Sequence, residues 1–292
     1  MNVLVVKKST NLDIHGKNIE AAVKAGLLAQ DEISSLEMEH EQHLKCLDDL
    51  RVELKAKKIK FDETGREEDL PNTDYDFYIS VGGDGTLLSV GQYLESGGNI
   101  AGITSTDISI GHLCAIKRTQ VAKFVEALAS NRLPMQSISR MRAKVVRITG
   151  KTEISPPVIN DILYTHGHPA GMSRYRLSLD GKFEEQRSSG IWISTAVGST
   201  AAMKAAGGIP LNFDSRDFQF CVRERYDRKS GAQKEEQLNH AVFNPEKVNF
   251  MILNRSVQAI LAMDGQRSVI ELEFGDKITF ERAKDVNLVR KL

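Results

Sequence analysis

Hydrophobic residues follow two different rhythms along this chain, and the change near Pro134 predicts two domains. Before it, short apolar runs alternate with longer stretches of helical spacing. Val3-Leu4-Val5-Val6 reads as a buried strand bounded by Lys7 and Lys8. A helix carrying Ile19, Ala22 and Val23 is predicted to end near Gly26. A longer one carries Ile33, Leu36, Leu44, Leu47, Leu50 and Leu54. Residues 78–81 and 100–103 read as strands, and 86–94 and 120–128 as helices. Strands alternating with helices predict a parallel sheet covered on both faces. Beyond Pro134 the pattern shortens to runs at 143–148, 175–179, 190–194, 248–253, 258–263 and 269–274. Asp180-Gly181 is a hairpin-turn pair. The expected architecture is therefore an α/β domain over 1–135 and a mainly β, sandwich-like domain over 136–276. The charged stretch 223–237 reads as an exposed excursion.

Composition narrows the function classes. The 292 residues are 41% hydrophobic, enough for one large or two medium domains with real cores. Net charge is zero and no basic block supports a nucleic-acid surface. No apolar run suits a membrane span. Cys46, Cys114 and Cys221 lie far apart, which predicts a reducing, cytoplasmic setting without a disulfide framework. The first strand starts so early that no signal or transit peptide is expected.

The densest chemistry lies in Tyr78-Ile79-Ser80-Val81-Gly82-Gly83-Asp84-Gly85-Thr86. It reads as strand, glycine loop and helix start, with the glycines allowing a tight turn and close approach to a ligand. Thr86 is expected to cap the helix, whose leading amides favour an anion. Asp84 there suits proton acceptance from a hydroxyl, or contact with a metal held on phosphates. The spacing fits neither G-x-G-x-x-G nor G-x-x-x-x-G-K-[ST]. A second loop, residues 194–202, follows a strand with hydroxyls and small side chains, suiting either a polar ligand or a packed strand-to-helix turn. Asn160-Asp161 can grip vicinal hydroxyls or form a polar turn. Asp264-Gly265-Gln266 reads first as a hairpin turn. His40, His43 and Cys46, each three residues apart, read as a helical face rather than a metal site. Packing is expected for His112 and Cys114, and a loop, open to a substrate contact, for His166-Gly167-His168.

Together these segments resemble the NAD kinase family over most of the chain. Gly82-Gly83-Asp84-Gly85-Thr86 is similar to its first signature, Asn160-Asp161 to its Asn-acidic pair, residues 194–202 to its Gly-Ser-Thr loop, and Asp264-Gly265-Gln266 to a late turn. The first signature is shared with phosphofructokinases and diacylglycerol-type lipid kinases. Val197 and Ala202 depart from the proline or glycine and the tyrosine usual in the loop. Arg187-Ser188-Ser189-Gly190 lacks the aspartate of Arg-x-Asp-Gly, and Gly102-Ile103-Thr104 lacks the usual asparagine. Ser188-Ser189-Gly190 and Gly111-His112-Leu113-Cys114 resemble the mitochondrial-type branch.

The resemblance implies transfer of the ATP γ-phosphate to the 2′-hydroxyl of the adenosine ribose of NAD, which lies in a cleft between the domains. It implies Asp84 as catalytic base. Gly82, Gly83, Gly85 and Thr86 would hold phosphates through their amides. Asn160 and Asp161 would orient a ribose, and Ser199, Thr200 and Ala201 would line the adenine. It further implies Mg²⁺ arriving on ATP with no dedicated protein metal site, a tail 277–292 that returns to the first domain, and a homodimer or homotetramer. A lipid kinase, or a nucleotide-binding regulator without catalysis, are the alternatives. Polyphosphate as donor and NADH as acceptor stay open.

Overall fold

The computed structural model describes residues 1–68, 74–108, 111–226, 238–265 and 268–292. The chain forms two compact units. The first comprises Met1–Val90, Gly97–Gln136 and Asn287–Leu292, and the second Gly91–Ser96 and Ser137–Val286.

The first unit is α/β. Its elements are β1 (Asn2–Lys7), α1 (Asn11–Lys24), α2 (Gln30–Ala56), β2 (Lys60–Gly65), β3 (Phe77–Gly82), α3 (Asp84–Tyr93, the last turn falling in the second unit), β4 (Asn99–Thr104), β5 (Ile116–Lys117) and α4 (Val121–Ala129). Strand order is β2-β1-β3-β4, all parallel. Val3, Val5, Ile79, Val81, Ala101 and Ile103 alternate onto one face, against Leu47, Leu50 and Leu54 of α2 and Phe124, Val125 and Leu128 of α4. On the opposite face Leu87 of α3 closes on Gly102, where a Cβ would lie 2.7 Å from its Cδ1. Burying both faces explains why these strands read as continuous apolar runs. β2 has no such run: among the described residues it pairs only with β1, at the sheet edge, and its sequence KFDETG exposes Lys60 and Asp62 and leaves Glu63 half-buried.

The second unit is largely β. Its elements are β6 (Met135–Val146), β7 (Thr152–Ile154), β8 (Asp161–His166), β9 (Ser173–Leu179), β10 (Lys182–Ser188), β11 (Gly190–Ser194), the single-turn α5 (Ala202–Ala205), β12 (Phe218–Arg223), β13 (His240–Phe243), β14 (Phe250–Asn254), β15 (Ala259–Met263), β16 (Ser268–Leu272) and β17 (Lys277–Val289). One antiparallel sheet runs β13-β12-β11-β8-β15-β16. The other runs β10-β9-β14-β17, with β6 and β7 beyond. The core between them includes Tyr164, Ile191 and Leu261 from the first sheet and Tyr175, Leu177 and Ile252 from the second. The last residues of β17 belong to the first unit, where Asn287 and Leu288 pair with Asn99 and Ile100 of β4. Asp180-Gly181 turns β9 into β10 with φ of 49° and 84°, the left-handed pair a tight hairpin needs. Residues 227–237 of the charged stretch, and 109–110 before Gly111, lie outside the described residues.

Candidate functional site

In the first unit, chemistry gathers at the C-terminal ends of the parallel strands, where open α/β sheets bind ligands. β3 ends at Gly82 and α3 begins at Asp84, two residues earlier than expected. Gly83 rather than Thr86 starts the helix: its carbonyl accepts the amides of Thr86 (3.0 Å) and Leu87 (3.4 Å). The amide of Thr86 is thus engaged, and its buried hydroxyl has no partner among the described residues. None of Gly82, Gly83 or Gly85 has a positive φ. Close approach is what demands glycine at 82, since a Cβ there would lie 2.5 Å from Thr86 Oγ1 and 3.2 Å from Lys8 Cβ. Gly83 faces open space.

Asp84 is held more tightly than the sequence suggests. Its Oδ2 accepts the amide of His112 (2.8 Å), and its Oδ1 those of Leu113 (3.0 Å) and Cys114 (3.1 Å). A carboxylate has about four lone-pair sites, so roughly one remains, on Oδ2. The interest of His112 and Cys114 therefore lies in their backbone, while burial and the Asp84 charge push the Cys114 thiol far up. Two cations flank the glycine loop. Lys8, ion-paired to Glu39 at 2.6 Å, borders Gly82, and the Arg66 guanidinium would stand 3.7 Å from a Cβ on Gly85. Neither belongs to a motif in the sequence. Their signal was a basic residue directly after a strand, Lys8 after β1 and Arg66 after β2.

In the second unit, Asn160 and Asp161 open β8 and are held from two sides. From the β15–β16 turn, the buried Asp264 carboxylate accepts the amides of Ile159 (2.8 Å), Asn160 (2.8 Å) and Asp161 (3.0 Å). From the loop after β11, Thr195 donates its amide to the Asn160 carbonyl (2.9 Å) and its hydroxyl to the Ile159 carbonyl (2.5 Å). Gly198 packs flat on the same backbone, where a Cβ would lie 2.1 Å from the Asn160 oxygen. Asp264-Gly265 does form the expected turn, with φ of 44° and 104°, but its carboxylate also shapes the site. Gln266 lies outside the described residues.

The three expected adenine contacts divide. Ser199 is fully buried, and its hydroxyl donates to the Ala196 carbonyl (2.6 Å) and accepts the Leu211 amide (2.9 Å). Its polar capacity serves the loop itself. Thr200 and Ala201 are exposed. The Asp161 carboxyl is buried, and none of the described residues donates to it. Burial first, then the Asp264 charge, push it up to about 8.

His40 and His43 face different partners: His40 Nδ1 meets Thr10 Oγ1 and His43 Nδ1 meets Ser105 Oγ, each at 2.8 Å. Among the described residues no group of three His, Cys, Asp or Glu is placed to hold a metal ion. His166 and His168 shape their own loop, the His168 amide donating to His166 Nδ1 at 2.9 Å. No described helix is long and apolar enough to cross a membrane.

No protein-family model matches the chain. Two solved structures share its fold along its whole length. The yeast NADH kinase complexed with NADH gives a TM-score of 0.70 at 15% identity, covering 84% of that chain. An NAD kinase from Archaeoglobus fulgidus in complex with ATP gives 0.64 at 20%, covering 94%. In sequence, the chain is 27% identical to a probable NADH kinase of Oryza sativa subsp. japonica over 242 residues, 75% of this chain and 71% of the relative. It is 31% identical to the NADH kinase of Arabidopsis thaliana over 229 residues, 71% of this chain and 70% of the relative. With that identity and coverage, and with the fold shared throughout, the chain belongs to the NAD kinase family.

Proposed function

We propose that this protein is an NAD kinase that transfers the ATP γ-phosphate to the 2′-hydroxyl of the adenosine ribose of NAD, giving NADP. Besides family membership, one observation carries the reading. Asp84 stands at the head of α3 beside leading amides that have no intrahelical acceptor, with one lone-pair site not engaged by residues 112–114. That site takes the proton of the attacking hydroxyl. Gly83 and Gly85 leave the loop open to donor phosphates, with Lys8 and Arg66 supplying positive charge beside it. Gly82 and Thr86 shape the loop from beneath. Asn160 and Asp161 orient the ribose, and Thr200 and Ala201 border the adenine. Mg²⁺ carried in as MgATP would neutralise charge on the phosphates; the occupied lone pairs of Asp84 fit a metal carried by the donor better than one held by the protein. Three separate buried thiols suit a reducing, cytoplasmic setting, and the family suggests a homodimer or homotetramer.

The first test incubates the protein with MgATP and NAD and follows NADP enzymatically. Parallel arms replace NAD by NADH or diacylglycerol, and ATP by polyphosphate. NADH is a second acceptor worth its own arm, because two relatives are named NADH kinases. Phosphorylated lipid without NADP or NADPH would refute the assignment, and so would nucleotide binding without turnover.

A further inference from the structure

We propose that Asp264 is a positioning residue for the Asn160–Asp161 pair and leaves Asp161 as the neutral, proton-bearing carboxyl, which acceptor binding ionises. This deepens the NAD kinase reading and rests on it for the identity of the acceptor.

The two carboxyls sit side by side, both buried, and differ in their donors. Asp264 holds a left-handed turn position and takes three consecutive amides, while its own amide donates to the Asp161 carbonyl at 3.0 Å. Hydrogen bonds of this kind favour the anion. Asp161 is only 6% exposed, and no described residue donates to it. Its neighbours offer little. Ser194 of β11 lies directly opposite on the same sheet face, fully buried, its hydroxyl without a partner among the described residues. On the β15 side stands Asp264. The nearby buried cation is Arg140 of β6, which donates to the carbonyls of Gly91 (2.7 Å), Leu94 (2.6 Å) and Lys284 (2.7 Å) and to no carboxylate. Its charge favours the anion of Asp264. Thr195, the other polar group against this backbone, is uncharged and bonded to the Ile159 carbonyl.

One buried cation and three amides therefore support one anion. A second anion alongside would be buried without a donor, which is strongly unfavourable. The proton accordingly resides on Asp161: burial raises both carboxyls, but the three amides and Arg140 hold Asp264 to about 6 while Asp161, beside that charge, is pushed up to about 8. A carboxyl accepts the two hydroxyls of a ribose most strongly as the anion, because the protonated group turns one of its oxygens into a donor. Acceptor binding then releases a proton at neutral pH, and affinity rises with pH until Asp161 ionises unaided.

Calorimetric titration of the protein with NAD, without ATP, tests this in phosphate and in Tris, whose ionisation heats differ. At pH 6.5 close to one proton released per NAD is expected, falling toward none at pH 9. Affinity should rise about tenfold per pH unit below the inflection. Asp264→Asn removes the like charge, so the inflection should move to lower pH, while NAD affinity at pH 9 falls as the 159–161 amides lose an acceptor. Asp161→Asn should abolish proton release, and it serves also if Asp264→Asn does not fold. Infrared spectra of the ligand-free protein at pH 7 should show a protonated carboxyl band that Asp161→Asn removes. A protein that makes NADP but binds NAD without releasing a proton overturns this proposal alone. So does a folded Asp264→Asn whose inflection stays put, or a missing carboxyl band. A protein that neither binds NAD nor forms NADP or NADPH overturns the functional reading, and this one with it.

Discussion

Replacing Gly198 by alanine adds one methyl group, and the structure places it where it cannot fit. The new Cβ would lie 2.1 Å from the Asn160 oxygen, 2.5 Å from its carbonyl carbon and 2.7 Å from its Cα. All three are backbone atoms, so no side chain can rotate away. The Asn160 peptide is pinned as well, its amide by Asp264 and its carbonyl by the Thr195 amide. Relief requires either the loop or the start of β8 to move by about an ångström. Overpacking of a rigid core costs about 1–3 kcal/mol, and pinned backbone on both sides argues for the upper end. At about 3 kcal/mol, a unit of this size should melt roughly 6–12 °C lower. Residual folded protein should show a raised apparent KM for NAD, because the Asn160–Asp161 backbone has shifted. The assay is thermal denaturation by circular dichroism, paired with NADP formation at varied NAD. Gly16→Ala is the matched control. Gly16 lies within α1 and a Cβ there meets nothing within 4 Å, so alanine should stabilise the helix by about 0.5–1 kcal/mol. A Gly198→Ala protein with unchanged melting and unchanged NAD kinetics would refute the close packing of this loop on Asn160.

Asp84→Asn should reduce turnover by roughly 10²–10⁴-fold with little change in NAD affinity, measured by steady-state NADP formation; near-normal turnover would remove Asp84 as the base. Ala201→Leu places its side chain at an exposed position, so melting should shift by no more than a few degrees while the NAD requirement rises sharply. Normal NAD kinetics in that variant would take the loop out of the site. His43 is 1% exposed, and burial followed by the Lys8 charge lowers its pKa to about 4. The unfolded chain binds this proton near pH 6.5 and the folded chain only near 4, so stability should fall as pH drops through that window, by about 3 kcal/mol in all. Urea denaturation at stepped pH should show this slope weakened in His43→Gln; an identical slope would count against it.

By itself the sequence determined the alternation of buried strands and helices in the first half and the shift to β structure in the second. Both follow from local periodicity: Val3, Val5, Ile79 and Val81 line one sheet face because side chains alternate along a strand. The motifs of the site were legible for a similar reason, since Gly82-Gly83-Asp84-Gly85-Thr86 and Asn160-Asp161 each lie within a few consecutive residues. β2 escaped because an edge strand with one paired side needs no apolar run. What positions the motifs was decided only by tertiary structure. The carboxylate of Asp84 meets amides 28 to 30 residues away, and that of Asp264 meets amides 103 to 105 residues away. Asp264-Gly265 looks like any hairpin turn in the sequence, and Ser199 looks like any exposed loop hydroxyl. Which lone pairs are occupied, which hydroxyl is enclosed and which carboxyl keeps its proton depend on groups that the chain brings together only on folding, and local sequence spacing carries no record of them.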